Sequence, residues 1–230
     1  MLRRSFEVTT DLMLRAYRAG LFPMAETRRG DRLYWLDPEL RGVLPLDGFH
    51  LPRRLLRTVL SGHYQVTIDV DFPGVIAGCA AAAPGREDTW INTEIERLFG
   101  DLHRMGHAHS VETRENGKLV GGLYGVSLGG VFFGESMFSR ARDASKVALV
   151  HLVARMRLGG YRLLDTQFVT SHLSQFGAVE IPRADYKARL ASAVNAEVAP
   201  LAAPAPEVLV AEIKALGQRA RDEGDGQGFS

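Results

Sequence analysis

Val131-Phe132-Phe133-Gly134-Glu135-Ser136-Met137-Phe138-Ser139-Arg140 is the stretch on which the reading of this chain turns. Its three leading residues read as a buried strand, followed by a polar bend that carries an isolated carboxylate, Glu135. After a short gap, Asp143-Ala144-Ser145-Lys146 opens a helix expected to run from about Ala144 to Leu158 and to stop at Gly159-Gly160. Tyr161 to Gln167 then reads as the final strand, ending on a second polar set, Asp165-Thr166-Gln167. Strand, bend and helix N-terminus in that order make a pocket floor with hydrogen-bonding groups at its rim. The two polar sets point to an active site with no metal and no serine or cysteine nucleophile.

The residues before this stretch extend the same unit. His109 to Thr113 and Leu119 to Ser127 are strand candidates joined by Arg114-Glu115-Asn116-Gly117-Lys118, whose Asn-Gly pair signals a hairpin. Tyr64 to Val70 alternates with period 2, as a half-buried strand does. Phe72 to Ala82 and Thr93 to Met105 read as helices, the second with Ile95, Leu98, Phe99, Leu102 and Met105 as its apolar stripe. Antiparallel strands with a long helix before a late strand predict an α+β or α/β domain with a mixed sheet.

Further out, Thr10 is expected to cap a short helix from Asp11 to about Ala19, with Gly20 as its stop. A loop of charge and glycine follows Met24. Leu33-Tyr34-Trp35 is extended, Gly42 to Leu46 a short strand, Pro52 to Leu60 a helix, and Ser171 to Phe176 a short helix. The expected division is a small N-terminal domain over 1–60, a catalytic domain over 61–190, and an Ala/Pro-rich tail over 191–230. That tail is expected to be weakly packed or disordered, or to form one peripheral amphipathic helix over 206–221.

Bulk composition excludes several classes. With 230 residues, 46% hydrophobic and 24% charged, the chain is long enough for a substantial core and ordinary for a globular protein. Cys79 is the only cysteine, so no intrachain disulfide forms and a cysteine-based zinc site is not expected. No apolar run reaches the roughly 18 residues of a membrane span. Thr9, Thr10 and Asp11 stand where a signal peptide needs its apolar segment. These features predict a cytoplasmic protein without a membrane partner.

Each candidate site has a plain structural alternative. Gly106-His107-Ala108-His109 tempts a metal reading, but strand residues alternate between faces and no third or fourth ligand lies at a known spacing, so a structural role is expected. Gly121 to Gly125 marks a bulge or the close approach of another backbone or ligand. Trp35 and Trp90 are core residues or stacking platforms for a base. Arg53, Arg54 and Arg57 form a basic group that is a solvated face or a set of phosphate contacts. Glu135 and Asp165 stand among residues expected to be buried, and an unpaired buried carboxylate is costly, so each requires a specific partner, in a functional site or in a structural ion pair. By period 2, Gln167 shares a strand face with Asp165 and acts with it on one ligand.

The chain resembles the leucyl/phenylalanyl-tRNA–protein transferases. The motifs carrying the resemblance include Gly20-Leu21-Phe22-Pro23, Trp35 with Asp37-Pro38, Thr89-Trp90-Ile91, Gly106 to Ser110 and Gly121 to Gly125. They continue with Gly134 to Arg140, Ala144-Ser145-Lys146, Asp165 with Gln167, and Ile181-Pro182-Arg183 with Asp185-Tyr186. The resemblance implies an acetyltransferase-like (GNAT-related) catalytic domain that binds the aminoacylated 3′ end of tRNA and uses no cofactor. It implies transfer of Leu or Phe, and less well Met, from Leu-tRNA or Phe-tRNA to the α-amine of proteins with N-terminal Arg or Lys, marking them for proteolysis.

It also implies an active site at Trp90, Glu135, Asp165 and Gln167, with a tryptophan near Trp35, and Ser145 beside the substrate. An apolar wall of Leu123, Phe132, Met137, Leu152 and Met156 would take the amino-acid side chain. Arg53, Arg54 and Arg57 would meet tRNA, although the stretch to Gly62 is less basic than in well-known members. A monomer is expected. The competing readings are an acetyl-CoA-dependent acyltransferase, for which no pyrophosphate loop is present, and a tRNA-binding protein without catalysis.

Overall fold

The computed structural model describes residues 8–25, 33–82 and 89–225, with side chains described to residue 218. The loop after Met24, Asp88 and the last residues of the tail lie outside them. The elements begin with α1 (Thr10–Arg18), β1 (Phe22–Ala25), β2 (Leu33–Leu36), β3 (Leu40–Leu44) and α2 (Arg53–Leu60). Next come β4 (Gln65–Ile68), α3 (Phe72–Ala80), α4 (Thr93–Arg104), β5 (Ala108–Glu115) and β6 (Lys118–Leu128). The chain continues with β7 (Val131–Ser139), α5 (Ala144–Gly159), β8 (Leu163–Gln167), α6 (Ser171–Ser174) and β9 (Val179–Pro182). It ends with α7 (Arg183–Ala193) and α8 (Pro206–Asp225).

Seven strands form one sheet in the order β4-β5-β6-β7-β8-β3-β9, and β1 and β2 form a separate pair. Every neighbouring pair in the large sheet is antiparallel except β7 with β8, which α5 joins as a parallel crossover. This is the expected α+β class with a mixed sheet. Strand β3, drawn from the first sixty residues, sits inside the sheet between β8 and β9.

Both sheet faces are covered, which explains why β7 begins with a continuous apolar run. Phe133 and Leu163 join one core with α1, α3, α4 and α7, while their neighbours Phe132 and Leu164 join the other with α2, α5 and α8. Successive strand residues point to opposite faces, so adjacent apolar residues serve different cores. Helix α4 starts at Asn92, whose side chain accepts the Ile95 N–H at 2.9 Å, an N-cap worth about 1 kcal/mol. Helix α1 is capped one residue earlier than expected, by Thr9.

Three sequence expectations change. The polar bend after Phe133 is absent, because β7 continues to Ser139 along β6. Tyr124 pairs with Ser136 and Gly125 with Gly134, leaving Glu135 as the extra residue of a β-bulge. Helix α7 was not anticipated, although Tyr186, Leu190 and Ala193 bury one helical stripe. The expected helix near the C-terminus forms as α8, but it is well packed: Leu209, Ile213 and Leu216 are buried, as is Leu201 before it. No helix among the described residues is long and apolar enough to cross a membrane.

Candidate active site

Strands β7 and β8 pair only where Val131–Phe133 meets Leu163–Asp165. Beyond Phe133, β7 follows β6, and the parallel neighbours part. A cavity of about 600 Å³ fills the opening. Its wall includes Leu123, Met137, Leu149, Leu152 and Leu164, and its polar floor holds Glu135 and Gln167.

Both floor residues sit at irregularities, as bulges next to active sites often provide. Glu135 is the bulged residue of β7. On β8, Gly42 of β3 faces Gln167 while Val43 faces Asp165, so Thr166 is the extra residue. Gln167 follows it with φ +63°, in the left-handed region that side chains other than glycine seldom enter. The alternation expected for Asp165 and Gln167 is therefore broken, and their side chains do not act side by side.

Gln167 instead reaches Glu135: its Nε2 donates to Glu135 Oε1 at 3.0 Å. Tyr17 of α1 donates its hydroxyl to the same oxygen at 2.7 Å. Glu135 Oε2 is buried and has no hydrogen-bond partner among the described residues. Burial raises the Glu135 carboxyl to about 8, against the pull of the two donors, with the nearby Asp165 charge adding to the rise. A carboxyl with that value holds its proton at neutral pH until a cation arrives. Burial, and then the Glu135 charge, push the Tyr17 hydroxyl well above its ordinary value, so Tyr17 stays a donor.

Asp165 lies behind this floor. It forms a buried ion pair with Arg41, their side chains 0% and 1% exposed. Arg41 Nε and Nη2 donate to its two oxygens at 2.9 and 2.6 Å, and Tyr186 adds its hydroxyl at 2.7 Å. Burial would lower the Arg41 value, but the hydrogen bond and charge of Asp165 more than offset this, so the guanidinium stays charged. Removing one partner of such a pair costs about 3–5 kcal/mol, because the other charge is left buried. Arg41 is packed between the rings of Phe22 and Tyr186, 4.4 and 4.5 Å from their centroids.

The remaining candidates divide by position. Trp90 and Ser145 line the cavity with Leu123, Glu135, Met137, Leu152 and Gln167. Trp90 also packs against the core. Trp35 packs against the same core and is not on the cavity wall. Phe132 and Met156 are fully buried behind the wall. Arg53, Arg54 and Arg57 are exposed on α2, and the last two border a separate hollow with Ser61 and His63. His109 bonds Asp69 at 2.7 Å. Gly125 marks a close approach: a Cβ there would lie 2.2 Å from the Phe133 carbonyl oxygen.

Sequence reasoning missed Tyr17 and Arg41 beneath the floor, and Phe168 and His172, which line the cavity. Arg41 did carry a signal, since a lone arginine opening an apolar strand requires an acidic partner as much as a lone buried carboxylate does.

The model of the leucyl/phenylalanyl-tRNA protein transferases matches residues 43–191, and that of their N-terminal domain matches residues 6–39. The chain belongs to this family. A transferase so named from Caulobacter vibrioides is 62% identical over 186 residues, covering 81% of this chain and 86% of the relative. One from Rhodopseudomonas palustris is 60% identical, covering 82% and 84%. Among solved structures, a C-terminal domain from Agrobacterium fabrum, described as part of a lysylphosphatidylglycerol synthetase, aligns with TM-score 0.41 and 13% identity over 80% of this chain and 62% of that one. The family match spans both the N-terminal segment that supplies Tyr17 and the sheet that supplies Glu135 and Gln167.

Proposed function

We propose that this protein moves Leu or Phe, and less well Met, from Leu-tRNA or Phe-tRNA to the α-amine of proteins with N-terminal Arg or Lys, marking them for proteolysis. The carrying observation is a cavity with an apolar wall and a floor made by the Glu135–Gln167 pair. Leu123, Met137, Leu149, Leu152 and Leu164 suit a Leu or Phe side chain. Trp90 offers a ring for the terminal adenosine, and Arg53, Arg54 and Arg57 offer charge to the tRNA backbone.

In the reaction, the acceptor nitrogen attacks the ester carbonyl carbon. The new C–N bond forms, the bond to the ribose oxygen breaks, the amine gives up a proton and the ribose oxygen gains one. An α-amine titrates near about 7.7–8.0, so a useful share is neutral without a strong base. Positioning can then supply about 7–11 kcal/mol in favourable cases. Gln167 orients the attacking amine or the ester carbonyl. Glu135 hydrogen-bonds either the free ammonium of the aminoacyl group or the neutral acceptor amine.

The test incubates the protein with radiolabelled Leu-tRNA or Phe-tRNA and an Arg-initiated peptide, with acetyl-CoA as control. Label on the peptide is the expected result. Acetylated peptide, or tRNA binding without product, would replace this reading with one of its two competitors.

A further inference from the structure

The aim of Gln167 depends on a residue outside the cavity. Asp165 Oδ1 accepts the Arg41 Nε–H and also the backbone N–H of Gln167, at 2.9 and 2.8 Å. Asp165 Oδ2 accepts from Arg41 Nη2 and Tyr186. Four donors occupy the roughly four lone-pair sites of a carboxylate, and Asp165 is not on the cavity wall. Asp165 therefore acts through Gln167. Its bond to the Gln167 N–H holds that residue in its left-handed backbone, from which the side chain reaches Glu135.

Arg41 fixes the carboxylate. Its fork sets the position and rotation of Asp165, and a further bond, from Nη1 to the Gly20 carbonyl at 3.0 Å, ties the group to the end of α1. The next residue, Gly42, makes room for the same turn, since a Cβ there would lie 2.6 Å from the Phe168 carbonyl carbon. Building on the aminoacyl-transfer reading, we infer that Arg41 is a positioning residue for the reaction, setting Gln167 through the Asp165 carboxylate and the Gln167 backbone N–H.

Arg41→Lys keeps a charge but loses the bidentate fork. The expected result is a kcat lower by about tenfold or more, with KM for aminoacyl-tRNA changed by less than about threefold. In a Gln167→Ala background the same substitution should cause no further loss, because both changes break one chain of contacts. A second readout is independent of activity: the Gln167 backbone amide proton, followed by NMR, should exchange with solvent about tenfold faster in Arg41→Lys. Should that variant not fold, Tyr186→Phe removes one donor from Oδ2 and should give a smaller kcat loss, again absent beside Gln167→Ala. A folded variant with wild-type kcat and unchanged exchange overturns the inference, as do equal losses with and without Gln167. If the wild type transfers nothing while Arg41→Lys still speeds exchange, the aminoacyl-transfer reading fails and the backbone control by Arg41 stands.

Discussion

Gln167 donates its side-chain amide to Glu135 Oε1 at 3.0 Å, bridging two parallel strands at the point where they stop pairing. With Tyr17 on the same oxygen, Glu135 is held by two neutral donors through Oε1, while Oε2 is buried without a hydrogen-bond partner among the described residues.

That environment makes stability depend on pH. The Glu135 carboxyl is raised from 4.5 to about 8, so the folded protein keeps a proton that the unfolded chain releases earlier. Between those values the folded state binds more protons, and stability falls as pH rises, levelling off beyond the upper value. Glu135→Gln should remove this slope and gain on the order of a few kcal/mol at the alkaline end relative to wild type. Urea unfolding at several pH values checks it. Parallel curves for the two proteins would place the raised value elsewhere.

Trp90→Ala should weaken binding of an aminoacyl-adenosine by about 1–3 kcal/mol, the range for loss of one stacking platform. Calorimetric titration with the minimal ligand measures this. Unchanged affinity with a lower unfolding midpoint would make Trp90 a core residue only.

Leu152 lies on α5 with its side chain in the cavity wall, 1% exposed. Leu152→Phe should reduce transfer of Phe relative to Leu by about tenfold, since a pocket discriminates by the few methylenes it can hold. It should also cost about 1–3 kcal/mol of stability through overpacking. Competition between the two charged tRNAs gives the ratio. An unchanged ratio would move the amino-acid pocket away from α5.

Arg54→Ala and Arg57→Ala should each lower the dependence of tRNA affinity on salt by about one unit of log–log slope. Binding measured across a salt series tests this. Slopes equal to wild type would leave α2 a solvated face.

The regular elements were legible because their signals are local. The stripe of α4 and the Asn116-Gly117 turn, with φ +50° and +77°, needed only neighbouring residues. Glu135 and Asp165 were also legible as carboxylates in need of partners, because burial penalises a lone charge wherever it lies. Their partners were not. Arg41 and Tyr17 stand 124 and 118 residues away from them, and no spacing rule reaches that far. The bulges at Glu135 and Thr166 escaped for another reason. An extra residue changes which face a side chain takes without changing composition, so period 2 put Gln167 on the wrong side.

Strand β3 carries a consequence for the life of the chain before it is complete. Its hydrogen-bonding partners, β8 and β9, begin at residues 163 and 179, so on a ribosome β3 emerges long before either edge can be matched. Arg41 spends that interval as an ordinary hydrated cation, and Gln167 has not yet been made. A partly synthesised chain therefore lacks both the Arg41–Asp165 pair and the Glu135–Gln167 bond. The cost is slow, long-range closure of the sheet, with an unpaired strand exposed while it waits.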